Sequence, residues 1–238
     1  MQKQKKVLVT GGARGIGEAI CRALSADGWF VYIHCNSSVS EAENLCSELG
    51  NSQVVVADLS SSSAVDIISE ICADADAIVN NAGVALVDLF DRVTDMDMRR
   101  LFEINLFAPM NITRRLLPQM ISKKQGAIVN ISSIFGENGG SCEVDYSVSK
   151  SALIGFTKAL AKEVGPAGIR VNCVCPGIID TDMNGNLSFD DIESLCDEIP
   201  ISRVGEPEDV ADTVAFLLSD KARYITGAVI DVNGGWQG

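Results

Sequence analysis

A glycine-rich segment near the start of the chain limits the fold more than any other feature. Residues 10–17 read Thr-Gly-Gly-Ala-Arg-Gly-Ile-Gly, between an apolar run at 6–10 and an amphipathic stretch that ends near Asp27. Glycines at this spacing allow a tight turn, a close approach of the backbone to a ligand, and close packing of a helix on a strand. The segment therefore predicts a strand, a phosphate-binding turn and a helix. A purely structural turn is the alternative interpretation.

Short apolar runs alternate with amphipathic stretches along the whole chain. The runs lie at 6–10, 30–35, 53–57, 77–80, 127–131, 169–174 and 229–232. Such alternation predicts a seven-stranded, parallel, doubly wound sheet with helices on both faces, and the continuous Val and Ile content fits strands covered on both sides. We expect a single α/β domain of Rossmann type over residues 1–238.

Several residues mark the expected ends of helices. Gly28 and Gly50 stand where helix C-caps are expected, and Pro207 suits a first helical turn. Ser40 and Glu43 have the spacing of a capping box, which predicts that a helix begins at Ser40.

Composition and charge exclude several classes of function. The formal charge of −13 disfavours nucleic acid and anionic membranes as partners, because both require a basic surface. Eight cysteines without a Cys-x-x-Cys pair indicate reduced thiols and a cytoplasmic protein. We assign Cys173 and Cys175 to a strand and expect no metal site. The single histidine, His34, lies in an apolar run and is expected to be structural.

The region after the second predicted strand indicates which dinucleotide would bind. Sites for NAD place an acidic residue there, about 20 residues beyond the glycines, to bind a ribose. Here residues 34–38 read His-Cys-Asn-Ser-Ser, and Arg14 in the glycine-rich segment could pair with a 2′-phosphate. NADP(H) is therefore favoured over NAD, and a solvated surface charge is the alternative for Arg14. Asp58 is assigned either to an adenine contact or to an ordinary loop role.

Tyr146 and Lys150 are spaced for joint chemistry. They lie four residues apart in a strongly helical segment, so both project from one helix face. An ammonium beside a phenol stabilises the phenolate, and we therefore expect the pKa of Tyr146 to lie below its ordinary value of about 10. Tyr146 would then donate a proton to a carbonyl.

Two further polar residues are candidates for the same site. Ser133 follows the run at 127–131, and strand ends at the carboxyl edge of such a sheet border the ligand crevice. A hydroxyl there can stabilise a substrate oxygen as negative charge develops, and Ser132 is the rival for this role. Asn105 lies within a long predicted helix, where asparagine is a poor helix former, and this misfit indicates a function.

Together these motifs resemble the short-chain dehydrogenase/reductase family over nearly the whole chain. The resemblance implies four catalytic residues: Asn105, Ser133, Tyr146 and Lys150. It also implies that Lys150 binds the nicotinamide ribose and that Asn105 helps to hold a water on the proton relay. With the residues above, the expected cofactor contacts are Gly11, Arg14, Gly15, Ile16, Gly17, Asp58, Leu59, Asn81, Ala82, Gly83, Tyr146, Lys150, Pro176, Gly177, Ile179 and Thr181.

Within the family, two similarities bear on the substrate. Residues 180–183 and 224–227 resemble the 3-oxoacyl-acyl-carrier-protein reductases, which implies NADPH-dependent reduction of a carrier-bound ketone. Residues 140–144, 183–184 and 233–236 resemble reductases of the 5-aminopentanone modification of elongation factor P. A dinucleotide-binding scaffold without catalysis is the third alternative, since a fold alone does not establish an activity.

The resemblance also bears on partners. It implies a homotetramer or homodimer that uses the helices predicted at 94–122 and 146–163. Family members that use an acidic carrier dock it on basic residues beside the site, and Ala167 stands where such members can carry arginine. Lys123 and Lys124 remain as docking charges. The acidic segment 184–200 is expected to lie over the substrate site, with a solvated helix as the alternative.

Overall fold

The computed structural model describes residues 4–182 and 189–237. Its strands form one sheet in the order β3-β2-β1-β4-β5-β6-β7, and every neighbouring pair is parallel. The predicted seven-stranded parallel sheet is therefore confirmed, with strand ends displaced by two residues at most. The strands are β1 (Lys6–Val9), β2 (Phe30–Cys35), β3 (Ser52–Val56), β4 (Ala77–Asn80), β5 (Gly126–Ile131), β6 (Ile169–Pro176) and β7 (Val229–Val232).

Helices cover both faces of this sheet. The described helices are α1 (Gly15–Ala26), α2 (Val39–Leu49), α3 (Ala64–Ile71), α4 (Asp95–Phe102), α5 (Ala108–Lys123), α6 (Ile134–Asn138), α7 (Val144–Val164), α8 (Phe189–Glu198) and α9 (Pro207–Leu218). None of these described helices is long and apolar enough to cross a membrane. A π-helical turn, Glu103–Phe107, joins α4 to α5, so the helix expected at 94–122 is continuous but locally widened.

Alternation along each strand divides the core into two halves. Val7 and Val9 of β1 pack on the side of α1, α2 and α9, whereas Leu8 packs on the side of α3, α5 and α7. Cys173 and Cys175 share one face of β6, where both are fully buried beside Ile154. This placement explains why the strands are apolar at consecutive positions, since both faces are covered.

The strand order positions the site. The chain runs outwards from β1 to β2 and β3, then returns to pair β4 on the other side of β1. The connections on the two sides of β1 therefore diverge, and a crevice opens at the carboxyl ends of β1 and β4. The glycine-rich segment leaves β1 at this point.

Most of the expected helix ends are found. Gly50 caps α2 in the left-handed region at φ 65°, and Gly28 follows the end of α1 at φ 84°. Pro207 is the first residue of α9. These residues therefore end and begin helices as their backbone preferences predict.

The capping box expected at Ser40 is wrong. Helix α2 begins at Val39, so Ser40 lies inside the first turn, and Ser38 occupies the cap position without a side-chain cap. Val39 packs against the core on the α1 side of the sheet, which favours an earlier start of the helix than the polar pattern alone predicts.

His34 connects three parts of the sheet edge. Its imidazole is 2% exposed, and its Nδ1 accepts a hydrogen bond from the backbone N–H of Gly11 at 3.2 Å. Its Nε2 lies 3.1 Å from the carbonyl oxygen of Ala57, which can only accept, so Nε2 carries the proton. Burial lowers the pKa of His34 to about 4. The ring is thus a neutral structural link between β2, the end of β3 and the glycine-rich segment.

Because this is the only histidine in the chain, its titration can be measured directly. The imidazole resonances in a proton NMR titration should move near pH 4 rather than near the ordinary 6.5. Because the folded-state pKa is lowered, the free energy of unfolding should be unaffected above pH 6.5 and fall as the pH drops towards 4. The loss should reach about 3 kcal/mol at pH 4, at 1.36 kcal/mol per pKa unit. An imidazole that titrates near pH 6.5 would contradict this burial.

Candidate active site

A cleft of about 920 Å³ lies at the carboxyl edge of the sheet, where β1 and β4 diverge. Its walls come from the loops after β1, β2, β3, β4, β5 and β6, and from the first turns of α1, α6 and α7. Every candidate cofactor residue lines it, as do Ser133, Tyr146 and Lys150. Asn105 is the one candidate that does not line the cleft.

The loop after β1 requires its glycines. Gly11 and Gly15 have φ values of 64° and 52°, a region that side chains other than glycine rarely adopt. A methyl group at Gly17 would overlap the carbonyl oxygen of Gly11. Helix α1 therefore starts in close contact with the end of β1, and its free N–H groups face the cleft, as an anionic ligand requires.

Asn81 fixes the shape of this loop. Its side-chain amide donates hydrogen bonds to the carbonyl oxygens of Thr10 at 3.0 Å and Gly11 at 3.2 Å. In return, the hydroxyl of Thr10 accepts hydrogen bonds from the backbone N–H groups of Asn81 and Ala82, both at 3.0 Å. The end of β4 thus holds the end of β1, which is a positioning function that sequence spacing did not reveal.

Arg14 lies at the open end of the cleft. Its guanidinium forms an ion pair with Asp182 at 3.1 Å, and both side chains are more than half exposed. Thr181 approaches Gly15 closely, so the segment after β6 packs over the glycine-rich loop. Residues 34–38 line the same end, and they contain no carboxylate. Residues 180–183 indicated only a family resemblance, so Asp182 was not predicted as a site residue.

Asp58 has the loop role that the sequence allowed, and its contact with adenine stays a prediction. It lines the cleft, and its carboxylate accepts hydrogen bonds from the hydroxyl of Ser60 at 2.7 Å and the N–H of Ser60 at 2.9 Å. These bonds, and to a smaller extent the charge of Arg100, hold the pKa of Asp58 below its ordinary value. Asp58 is therefore a charged side chain held in a fixed turn at the wall.

Tyr146 and Lys150 lie together in the deepest part of the cleft, both almost fully buried. The ammonium of Lys150 donates a hydrogen bond to the carbonyl oxygen of Ile131 at 2.9 Å and lies 5.7 Å from the centroid of the Tyr146 ring. Burial lowers the pKa of Lys150 to about 8. The spacing of four residues on one helix thus brings the Lys150 ammonium close to the Tyr146 ring, as the sequence predicted.

The expected effect of Lys150 on Tyr146 is wrong for this structure. Burial raises the pKa of Tyr146 to about 12, opposed by a hydrogen bond with Ser133 and reinforced by the nearby charge of Glu143. Lys150 directs its ammonium to a backbone carbonyl, so loss of hydration dominates the pKa of the phenol. Tyr146 consequently keeps its proton at neutral pH.

The hydrogen bonds of the two serines after β5 distinguish their roles. Ser132 is buried and donates to the backbone carbonyl of Lys150 at 2.8 Å, so its proton is already committed. Ser133 accepts from the N–H of Phe135 at 3.2 Å, and its hydroxyl lies beside Tyr146. Ser133 therefore places its hydroxyl beside the phenol at the cleft wall, which favours Ser133 over Ser132.

Asn105 lies behind the cleft wall, in the π-helical turn. Its amide forms a pair of hydrogen bonds with the backbone of Val84, both at 2.9 Å, and also donates to the hydroxyl of Ser149 at 3.2 Å. The misfit of asparagine in this helix therefore corresponds to a real interruption, since π-turns frequently mark functional positions. The amide connects the loop after β4 to α7.

Lys123, Lys124 and Ala167, which were expected beside the site, lie instead at the amino ends of the strands, opposite the cleft. Their assignment as docking residues beside the site is therefore wrong. Lys123 pairs with Asp76 at 2.7 Å, just before β4 begins. Gly168, next to Ala167 and just before β6, packs against the backbone of Lys124. A carrier bound at these residues would face the amino ends of the strands, away from the cleft of the same chain.

The acidic segment 184–200 falls partly outside the described residues. The described portion consists of α8 and the two residues after it. The first of these, Ile199, is buried against Ile134 and Trp236. No described residue of this portion lines the cleft. The expectation that the segment covers the substrate site stays a prediction for residues 184–188.

The cleft also contains residues that sequence reasoning missed. The additional charged residues on its wall are Arg100, Glu143 and Asp182, and apolar ones include Val87, Phe135 and Ile178. Glu143 precedes Tyr146 by three residues, so the helical spacing that identified Lys150 could also have identified it. Arg100 lies in α4 and Phe135 in α6, whereas the other three follow β4 or β6, and their approach to the cleft depends on tertiary packing.

Comparisons with known proteins agree with this geometry. Residues 11–237 match a family model described as enoyl-(acyl carrier protein) reductase. The oxidoreductase YmfI of Bacillus subtilis is 43% identical over 98% of both chains, and the 3-oxoacyl-[acyl-carrier-protein] reductase FabG of Aquifex aeolicus is 41% identical over 97% of this chain and 96% of its own.

Two solved structures are similar over almost their whole length. A 3-oxoacyl-[acyl-carrier protein] reductase from Brucella melitensis has a TM-score of 0.93 at 34% identity, covering 99% of this chain and 92% of its own. A blue fluorescent protein from a metagenomic library, in complex with NADPH, has a TM-score of 0.92 at 36% identity, covering 98% of both chains.

The contact between Gly17 and Gly11 gives a matched pair of variants. Gly17→Ala should displace the loop and either abolish dinucleotide binding or lower the melting temperature by several degrees, since the new methyl group meets backbone. Gly165→Ala introduces the same methyl group at the end of α7, where the backbone is helical and nothing lies within 4 Å, and should be neutral or slightly stabilising. Equal effects of the two substitutions in thermal unfolding and dinucleotide titration would contradict the role of Gly17.

Proposed function

The chain belongs to the short-chain dehydrogenase/reductase family, and on this basis we propose that it reduces a ketone to a secondary alcohol with NADPH. The observation that carries the proposal is the meeting of the glycine-rich loop, Ser133, Tyr146 and Lys150 on the walls of one cleft. A scaffold without catalysis would not need a buried phenol and a buried ammonium in the same cleft as such a loop.

The residues present fit NADP(H). The glycine-rich loop offers backbone N–H groups and a helix N-terminus to the pyrophosphate. Arg14 offers a charge to a 2′-phosphate, and residues 34–38 contain no carboxylate that would repel it. When bound, NADPH supplies the hydride, and Lys150 would hold its nicotinamide ribose.

The proton transfer would be performed by side chains of the protein, namely Ser133, Tyr146 and Lys150. The carbonyl oxygen of the substrate would lie between Ser133 and Tyr146, which can both donate hydrogen bonds to it. Tyr146 gives its proton to this oxygen as the alkoxide forms, and its raised pKa keeps it protonated beforehand. Lys150, held by the carbonyl of Ile131, stabilises the phenolate that results.

A 3-oxoacyl thioester is the first candidate substrate. It is supported by relatives such as FabG of Aquifex aeolicus, which is named for this activity and matches almost the whole chain. A ketone carried on a lysine of elongation factor P is the second candidate. The charge of −13 weighs against the first candidate when its carrier is an acidic protein, because like charges repel on approach.

We also propose a homotetramer or homodimer that works in the cytoplasm. Helix α4 and the π-turn pack against α7, and these elements expose apolar side chains: Met96, Phe107, Val144 and Val148. A second copy of the chain would cover them. All eight cysteines are free, which fits a reducing compartment.

The preference for NADPH over NADH should depend on the charge of Arg14. NADPH should bind about tenfold more tightly than NADH, because one charge-assisted pair contributes about 1.5 kcal/mol. Arg14→Ala should remove this difference, and Asp182→Asn should enlarge it by freeing Arg14 from its ion pair. Fluorescence titrations of both cofactors test this, and equal affinities in the unaltered protein would contradict it.

Tyr146 should be needed for turnover and not for folding. Tyr146→Phe keeps the buried ring and removes the proton, so kcat should fall by about 10²-fold or more while the affinity for NADPH changes little. Lys150→Ala should reduce both kcat and the affinity for NADPH. Steady-state kinetics and NADPH titration measure the two quantities separately, and full turnover by Tyr146→Phe would exclude it as the donor.

The two candidate substrates can be compared directly. NADPH oxidation should be followed with a 3-oxoacyl thioester and with elongation factor P that carries 5-aminopentanone, at matched concentrations. The first candidate predicts a higher kcat/KM with the thioester. A preference of about a hundredfold for the modified factor, worth about 2.7 kcal/mol, would replace it with the second and leave the mechanism unchanged.

A further inference from the structure

Glu143 places a negative charge beside the proposed proton donor. It lies at the start of α7, three residues before Tyr146, and both side chains line the cleft. Residues three apart at the start of a helix are neighbours on one face. Of the three carboxylates on the cleft wall, Asp58 and Asp182 have partners already described, so Glu143 is the one without a defined role.

The carboxylate of Glu143 has no partner among residues 4–182 and 189–237. Within those ranges no side-chain hydrogen bond or ion pair involves it, although it is only partly exposed. Residues 183–188 read Met-Asn-Gly-Asn-Leu-Ser and contain no basic residue. A partly buried charge without a counter-charge is costly, and a ligand that brings the opposite charge recovers that cost.

The backbone around Glu143 is well fixed. Cys142 holds a φ of 62°, a conformation that residues other than glycine rarely adopt, and its carbonyl accepts the N–H of Asp88 at 2.9 Å. The carbonyl of Glu143 accepts the N–H of Ser147 at 2.8 Å, and the hydroxyl of Ser147 accepts the N–H of Gly140 at 2.9 Å. The start of α7 therefore presents the Glu143 side chain from a fixed position.

We propose that Glu143 is a specificity-determining residue, which selects ketones that carry a positively charged amine near the carbonyl and disfavours ketones that carry a carboxylate. The inference rests on the proposed ketone reduction and deepens it by naming the charge of the substrate. The apolar residues Val87, Phe135 and Ile178, which also line the cleft, would contact the carbon chain between the carbonyl and the amine.

Charge at this position also acts on the proton donor. The carboxylate of Glu143 adds to the effect of burial in raising the pKa of Tyr146. A substrate ammonium beside Glu143 would offset that charge and make Tyr146 a better acid while the substrate is bound. The preference should therefore appear in kcat as well as in kcat/KM.

The test uses three linear ketones of equal length, ending in a trimethylammonium group, in its neutral isostere, a tert-butyl group, and in a carboxylate. The unaltered protein should prefer the cationic ketone over the tert-butyl ketone by about tenfold in kcat/KM and should reduce the carboxylate most slowly. Glu143→Gln should bring the cationic-to-neutral ratio close to one. Glu163→Gln, which removes the same charge from the exposed far end of α7, should leave the ratio unchanged.

The outcomes separate this inference from the proposed function. If the unaltered protein reduces the three ketones, or a 3-oxoacyl thioester, without preferring the cationic ketone, the role of Glu143 is wrong and the reductase activity stands. If Glu143→Gln slows all three ketones equally, Glu143 positions the site and does not select substrates. If the protein oxidises NADPH with none of the ketones and with no thioester, the proposed function itself fails.

Discussion

The contact between the end of β1 and the start of α1 is the constraint on which the site depends. Gly17 lies against the carbonyl of Gly11, and the amide of Asn81 holds that same carbonyl from the end of β4. A side chain at position 17 would push α1 away from the end of β1, and the glycine-rich loop would no longer line the crevice between β1 and β4. The cleft wall, its N–H groups and the position of the neighbouring loops all follow from this packing.

Burial rather than charge pairing sets the chemistry at the other end of the cleft. Tyr146 and Lys150 lie close together, yet the pKa of the phenol is raised and that of the ammonium lowered, because both have lost hydration. The site therefore holds an acid that stays protonated and a cation that is available to it once negative charge develops. Such an arrangement favours reduction, in which Tyr146 must hold a proton before the reaction and release it during the reaction.

Much of this architecture could be predicted from the sequence because it depends on local pattern. The seven strands, the glycine-rich turn and the Tyr146–Lys150 pair follow from periodicity and spacing. The start of α2 was placed one residue too late because the packing of Val39 is a tertiary effect.

What could not be predicted depends on groups that are distant in sequence. The pKa of Tyr146 depends on how deeply the fold buries it, and the pairing of Lys123 with Asp76 depends on which sheet edge they share. Asp182 meets Arg14 across 168 residues of chain. Glu143 was visible at helical spacing, but only the absence of a partner in the described structure gives it meaning.

The central claim is that this cleft transfers a hydride from NADPH to a ketone carbon and a proton from Tyr146 to its oxygen. The most direct measurement is mass spectrometry of the alcohol formed from a ketone with NADPH that carries two deuterium atoms at C4 of the nicotinamide. The account predicts an alcohol heavier by one deuterium, bound to the carbinol carbon, with an exchangeable proton on oxygen. An alcohol without this label, or no alcohol with any ketone or 3-oxoacyl thioester, would contradict it.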